Sequence, residues 1–91
     1  MRVIWSEPAT WDLDRIVAYI AERNPIAAQT VAQTIYEGCA SLSDFPMRGQ
    51  KSRIPGRRDL VFTSLPYIAV YRVQQHQVEI IRIYHMAQDW S

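Results

Sequence analysis

The sequence predicts an α+β fold: a short strand, an antiparallel helix hairpin, then a three-stranded antiparallel meander. Two observations predict it. Apolar residues recur at helical spacing through two segments of the amino-terminal half, and at strand-like density through three segments of the carboxy-terminal half. The connections between these segments are short, which makes neighbouring elements antiparallel. With 91 residues the expectation is one domain, 1–91, around one core, with about 60–65 % of the unfolded surface buried.

The opening Val3-Ile4-Trp5 is β-rich. Ser6 then offers a helix N-cap, with Pro8 in the first turn. Ala9, Leu13, Ile16, Val17 and Ile20 fall on one face of that helix, and Glu7, Asp14, Arg15 and Glu22 on the other. Trp11 falls on the charged side, where an exposed tryptophan is a candidate partner contact. Asn24-Pro25 ends this helix and caps the next. The second helix carries the stripe Ala28, Val31, Ala32, Ile35, Cys39 and Leu42, closed by Pro46 and Gly49.

The period then changes. Met47 to Arg58 contains Gly49, Pro55 and Gly56 and reads as a basic loop. Three strands are predicted: Asp59 to Thr63, Tyr67 to Val73 after a Ser64-Leu65-Pro66 turn, and Val78 to His85 after Gln74-Gln75-His76-Gln77. The last two are apolar on both parities: Ile68, Val70, Ile81 and Ile83 on one, Tyr67, Tyr71, Val78 and Ile80 on the other. A helix pair covers one face only. The second is expected to meet a partner protein, or the carboxy-terminal segment folded back over it.

Composition narrows the chemistry. Cys39 is the only cysteine, so neither an internal disulfide nor a cysteine metal cluster can form. The first residues lack the apolar stretch of a secretory signal, and the longest apolar run, Tyr67 to Tyr71, is far short of a membrane span. The expected location is the cytoplasm, with no membrane partner. His76 and His85 lie outside any zinc spacing, no phosphate-binding glycine loop is present, and no serine sits in a nucleophile elbow. No metal and no cofactor is expected.

Charge is distributed unevenly. Residues 1–47 carry three basic and six acidic residues, a net −3, and residues 48–91 carry seven basic and three acidic, a net +4. Arg48, Lys51, Arg53, Arg57 and Arg58 form a run without an acid, which is either a solvated loop or an attractor of anionic partners. Strand geometry can bring this run near Arg72, Arg82, Tyr84 and His85. Arginines beside an imidazole and tyrosines grip phosphates and, with a suitable base, cleave RNA through its 2′-hydroxyl. A plain alternative for Arg82 and His85 is a rim that hydrogen-bonds the carboxy-terminal segment.

Taken in order, several segments resemble the ParE/RelE superfamily of bacterial toxins from type II toxin–antitoxin systems, and more closely its ParE branch. They are Trp5-Ser6-Glu7-Pro8-Ala9, Asp12-Leu13-Asp14-Arg15-Ile16, Tyr19-Ile20-Ala21 and Asn24-Pro25. Phe45-Pro46, Gly49, Ile54-Pro55-Gly56-Arg57-Arg58-Asp59-Leu60-Val61 and Pro66 to Val73 continue the series, which closes with Ile80 to Trp90.

The resemblance implies the same fold and a cognate, ParD-like antitoxin that folds onto the toxin. It also implies growth inhibition and a role of the plasmid-stabilisation kind. RelE-like members cut messenger RNA on the ribosome with an arginine just after the tyrosine that corresponds to Tyr67; here that residue is Ile68. Where those nucleases place lysines on the preceding strand, this chain has Asp59 and Val61. ParE-like members poison DNA gyrase by binding it, through their carboxy-terminal end.

The gyrase reading therefore leads, with Arg57, Arg58, Arg82, His85, Gln88, Asp89 and Trp90 as the target-binding set. Trp11, Tyr67 and Tyr71 are the expected antitoxin contacts, in a groove beside the first helix and on the open sheet face. The alternatives are a ribosome-dependent endoribonuclease, with Arg57, Arg58, Arg82, His85 and Tyr84 as its catalytic set, or a non-toxic module that only binds an antitoxin. Direct contact with nucleic acid is left open.

Overall fold

The structure, a computed structural model, describes residues 1–87. Both helices begin at the caps the sequence offers. Helix α1 (Glu7–Ala21) starts at Ser6, whose hydroxyl accepts from the Ala9 N–H at 3.1 Å. Helix α2 (Pro25–Ala40) starts at Asn24, whose side chain accepts from the Ala27 N–H at 3.0 Å. Each cap satisfies an N–H with no partner inside its helix, a contribution of about 1 kcal/mol. The stripe of α2 is core: Ala28, Val31, Ile35 and Cys39 are buried, and Leu42 joins them from a 3-10 turn at Ser41–Ser43. Burial pushes the Cys39 thiol up to about 12, so it packs as a small apolar group.

The strands are β1 (Arg2–Trp5), β2 (Gln50–Lys51), β3 (Arg58–Val61), β4 (Tyr67–Gln74) and β5 (Gln77–His85), in the sheet order β1-β5-β4-β3-β2. Strands β3, β4 and β5 form the expected meander, and β1 joins parallel to β5. Strand β2 lies inside the segment that reads as a loop, pairing Gln50 with Asp59 and Lys51 with Arg58. Two polar residues carry no alternation signal. What seats them is tertiary: the Tyr71 hydroxyl accepts from the Gly49 N–H at 2.9 Å and donates to the Pro46 carbonyl at 2.7 Å. A Cβ on Gly49 would stand 2.7 Å from that ring and 2.8 Å from the Asp59 carbonyl, so only glycine fits.

A β-bulge revises the expected parity of β5. Val70 pairs with Arg82 and Tyr71 with Ile80, which leaves Ile81 as the extra residue. Ile80 and Ile83 both reach the helix-covered core with Tyr67, Ala69, Tyr71 and Val78. Ile83 is therefore not on the face of Ile68 and Val70, because alternation holds only where the ladder is regular. On that second face Ile68 is 5 % and Val70 2 % exposed. At these two positions the face is not left open for a partner, which was one of the two outcomes expected from the sequence. Beyond β5, the Met86 N–H donates to the Pro66 carbonyl at 2.7 Å. Among the described residues no helix is long and apolar enough to cross a membrane.

Candidate functional site

Strand β1 shields only the first half of β5, from Gln77 to Ile80. Beyond it the edge is taken by α1. The Ser6 N–H and hydroxyl donate to the carbonyls of Ile80 (2.9 Å) and Ile81 (2.8 Å). The Ile83 N–H donates to Asp12 Oδ2 at 2.9 Å. Backbone groups that would otherwise lie bare are thus paired by the Ser6 N–H and by the side chains of Ser6 and Asp12.

Asp12 is only 4 % exposed and would be costly there without partners. Arg82 supplies two hydrogen bonds, Nε to Oδ2 at 2.8 Å and Nη2 to Oδ1 at 2.9 Å, and Arg15 a third at 2.9 Å. Burial alone would raise the Asp12 carboxyl. The bonds from Arg82 and Ile83, the Arg82 charge and the Arg15 bond outweigh it and hold the group below its usual 3.8.

This latch forms one end of a groove of about 430 Å³ lined by Asp12, Arg15, Ile16, Tyr19, Tyr67, Ile83 and His85. Tyr67 and His85 meet edge to face, ring centres 5.3 Å apart at 86°. His85 Nδ1 accepts from the Ala87 N–H at 3.0 Å. Along α1 and just past its end, Trp11, Arg15, Tyr19 and Arg23 follow one another at four-residue spacing, with Arg15 and Tyr19 lining the groove. Trp11 is 58 % and Tyr19 64 % exposed, and the Arg23 guanidinium lies over the Tyr19 ring at 5.9 Å. Large aromatic rings between arginines, beside a partly apolar groove, make a surface suited to a protein segment.

The residues singled out in the sequence do not converge. Arg82 is joined to Asp12 and stacks over Tyr84 at 5.2 Å. Arg58 donates to the Gly49 carbonyl at 2.6 Å, at the far end of the sheet. It pairs with Tyr71, whereas His85 pairs with Tyr67, and these β4 positions lie about 13 Å apart along the strand. Arg57 lies in the hairpin between β2 and β3. Tyr67 lines the groove and Trp11 is exposed on α1, next in sequence to the groove's Asp12, but Tyr71 is fully buried and hydrogen-bonded on the core side, which removes it as an antitoxin contact. Gln88, Asp89 and Trp90 lie outside the described residues.

The sequence reading missed Asp12, Arg15 and Tyr19 as site residues. A signal for Asp12 was present: it lies in the apolar stripe, three residues after Ala9 and four before Ile16. An acid at such a position has to be paired.

Comparison with known proteins decides the family. The family described as "ParE toxin of type II toxin-antitoxin system, parDE" matches residues 3–90. The chain belongs to the ParE toxin family. This ParE-family chain is 37 % identical over 89 residues to a Sinorhizobium fredii protein described as a candidate toxin, Y4kP, covering 98 % of this chain and 92 % of the relative. It is 36 % identical over 86 residues to Toxin RelE2 of Caulobacter vibrioides, covering 94 % and 96 %. A solved structure of the chromosomal ParDE toxin–antitoxin system from P. aeruginosa superposes with a TM-score of 0.84 at 30 % identity, over 93 % of this chain and 95 % of that one. The chain is accordingly a type II toxin–antitoxin toxin with the ParE/RelE fold.

Proposed function

We propose that this ParE-family toxin arrests growth by binding DNA gyrase in the cytoplasm, without chemistry of its own, until a ParD-like antitoxin covers it. The reading rests on family membership over residues 3–90, taken with the residue that follows Tyr67. RNA-cleaving members of the wider superfamily place an arginine there. Here it is Ile68, and it is buried, so no phosphate-binding side chain stands at that position. Arg82, the arginine of β5, has its guanidinium engaged by Asp12. The gyrase contact is assigned to the carboxy-terminal end, where His85 leads into Gln88, Asp89 and Trp90.

An antitoxin partner is supported by the likeness to a solved toxin–antitoxin system, and its place is assigned to the α1 groove on the chemistry of the groove's own residues. Tyr19 and Tyr67 offer apolar walls, Trp11 an exposed ring beside them, and Arg15 and Arg23 positive charge. That combination favours an amphipathic segment with acidic residues on one side.

One observation favours a second reading, ribosome-dependent RNA cleavage: His85 stands beside Tyr67 in an open groove, where an imidazole can move a proton. Induction of the chain in cells without antitoxin separates the readings. Gyrase inhibition gives growth arrest with chromosome damage and intact transcripts. Rapid transcript cleavage would replace it with the nuclease reading, and unimpaired growth at verified expression would leave an antitoxin-binding module.

A further inference from the structure

The hairpin between β2 and β3, whose Arg57 and Arg58 belong to the target-binding set expected from the sequence, lies outside both the α1 groove and the carboxy-terminal end, and it carries the chain's acid-free run of cations. Its six-residue turn is closed by the Ser52 N–H donating to the Arg57 carbonyl at 2.9 Å, with the Arg57 N–H bonded to the Ile54 carbonyl inside it. Two shallow grooves flank it. One, of about 330 Å³, is lined by Lys51, Ser52, Arg57 and Arg58 over Ile54, Pro55 and Val73. The other, of about 430 Å³, shares Arg57 and adds Arg72. Arg72 is paired with Glu79 at 2.7 Å, and among the described residues none that lines the first groove is acidic.

The register makes this arrangement costly. Lys51 lies directly opposite Arg58 in the β2–β3 pair, and like charges at opposed positions destabilise an antiparallel ladder. The Arg58 guanidinium cannot swing clear, because it is held by the Gly49 carbonyl at 2.6 Å. Two cations at opposed positions of the ladder, lining one groove with Arg57, form a site whose repulsion is relieved by a bound anion. Among the described residues neither groove has an aromatic lining residue, so these residues offer no platform on which an unpaired base stacks. The groups present are those that hold phosphates without reading bases.

We propose that the β2–β3 hairpin binds the phosphate backbone of duplex DNA through Lys51, Arg57 and Arg58. The site is independent of the gyrase assignment, since it takes DNA alone. Contact with three phosphates gives a plot of log K against log salt with a slope of about −2.7, at roughly −0.9 per phosphate.

The test is fluorescence anisotropy of a labelled random-sequence duplex with the purified full-length chain, from about 50 to 200 mM salt. Salt-dependent binding is expected. Lys51→Glu combined with Arg57→Gln weakens it at least tenfold at the low end, whereas Arg2→Glu on β1 leaves it within twofold. Lys51→Glu alone turns the repulsive pair into an attractive one. It weakens DNA binding while raising Tm by about 2–4 °C, a combination that a purely structural role for Lys51 does not produce. The proposal is overturned by any of four results: no duplex binding at low salt, equal losses from Arg2→Glu and the hairpin variants, much tighter binding of a single-stranded oligonucleotide, or displacement of the duplex by polyglutamate at equal charge, which would assign the hairpin to an acidic protein segment.

Discussion

Asp12 and Arg82 are 70 positions apart in the chain and share two hydrogen bonds, of 2.8 and 2.9 Å. The pair ties α1 to the half of β5 that β1 leaves uncovered. The partners differ in burial, Asp12 being nearly enclosed and Arg82 more than a third exposed. Removing the arginine therefore costs less than removing the acid. Asp12→Ala strips four N–H donors, from Arg82, Ile83 and Arg15, of their acceptor and lowers stability by about 3 kcal/mol. Arg82→Ala costs about 1 kcal/mol, because Asp12 keeps Ile83 and Arg15 and solvent screens part of the lost charge. Urea denaturation of both variants and the double variant measures these values and the coupling between them.

The same pair sets a pH dependence. The folded-state pKa of Asp12 lies below its ordinary 3.8, so its ionised form contributes stability that is fully present above that value. The contribution disappears as pH falls through the folded value. The stability gap between wild type and Asp12→Asn is accordingly constant near neutrality and closes only below about pH 4. Asp59 has the opposite sign. Burial raises its carboxyl against the opposing effects of Ser52 and Arg53, and its buried Oδ1 has no hydrogen-bond partner. Its ionised form costs stability at neutral pH, and that cost is relieved on acidification. Urea melts at neutral and acid pH, on Asp12→Asn and Asp59→Asn, separate the two effects.

The turn between β4 and β5 stores strain. Gln75 and His76 both adopt positive φ, 50° and 64°, as a two-residue hairpin turn demands, and neither has the side chain that best tolerates it. His76→Gly raises stability by about 0.5–1 kcal/mol, read as an increase in Tm with growth inhibition unchanged.

How much was legible in the sequence follows from where each signal sits. The caps at Ser6 and Asn24, the α2 stripe and the meander are local patterns, and all appear in the structure. Three features depend on distant partners. Strand β2 exists because Tyr71 staples Gly49, 22 positions earlier. The side of Ile83 depends on a bulge that alternation does not reveal. Arg82 reads as a free surface cation until the fold brings it to Asp12. Trp11 was visible because an aromatic on a charged helix face is locally anomalous, whereas Tyr19 blended into its motif.

Trp11→Ala and Tyr71→Phe separate surface from core. Trp11 is exposed, so its truncation changes stability by less than about 0.5 kcal/mol while weakening the antitoxin complex by about 2 kcal/mol, some thirtyfold in Kd. Tyr71→Phe removes the hydroxyl that serves Gly49 and Pro46 and costs about 2 kcal/mol of stability, with antitoxin affinity unchanged. Calorimetric titration and thermal melts on the two variants check both halves.

The central claim is tested most directly by DNA supercoiling with purified gyrase, with and without the folded chain, alongside translation in a cell-free extract. Inhibited supercoiling with translation intact, reversed by the cognate antitoxin, is the predicted result. Normal supercoiling with blocked translation and cleaved messages would contradict it and move the active surface to His85 and its groove.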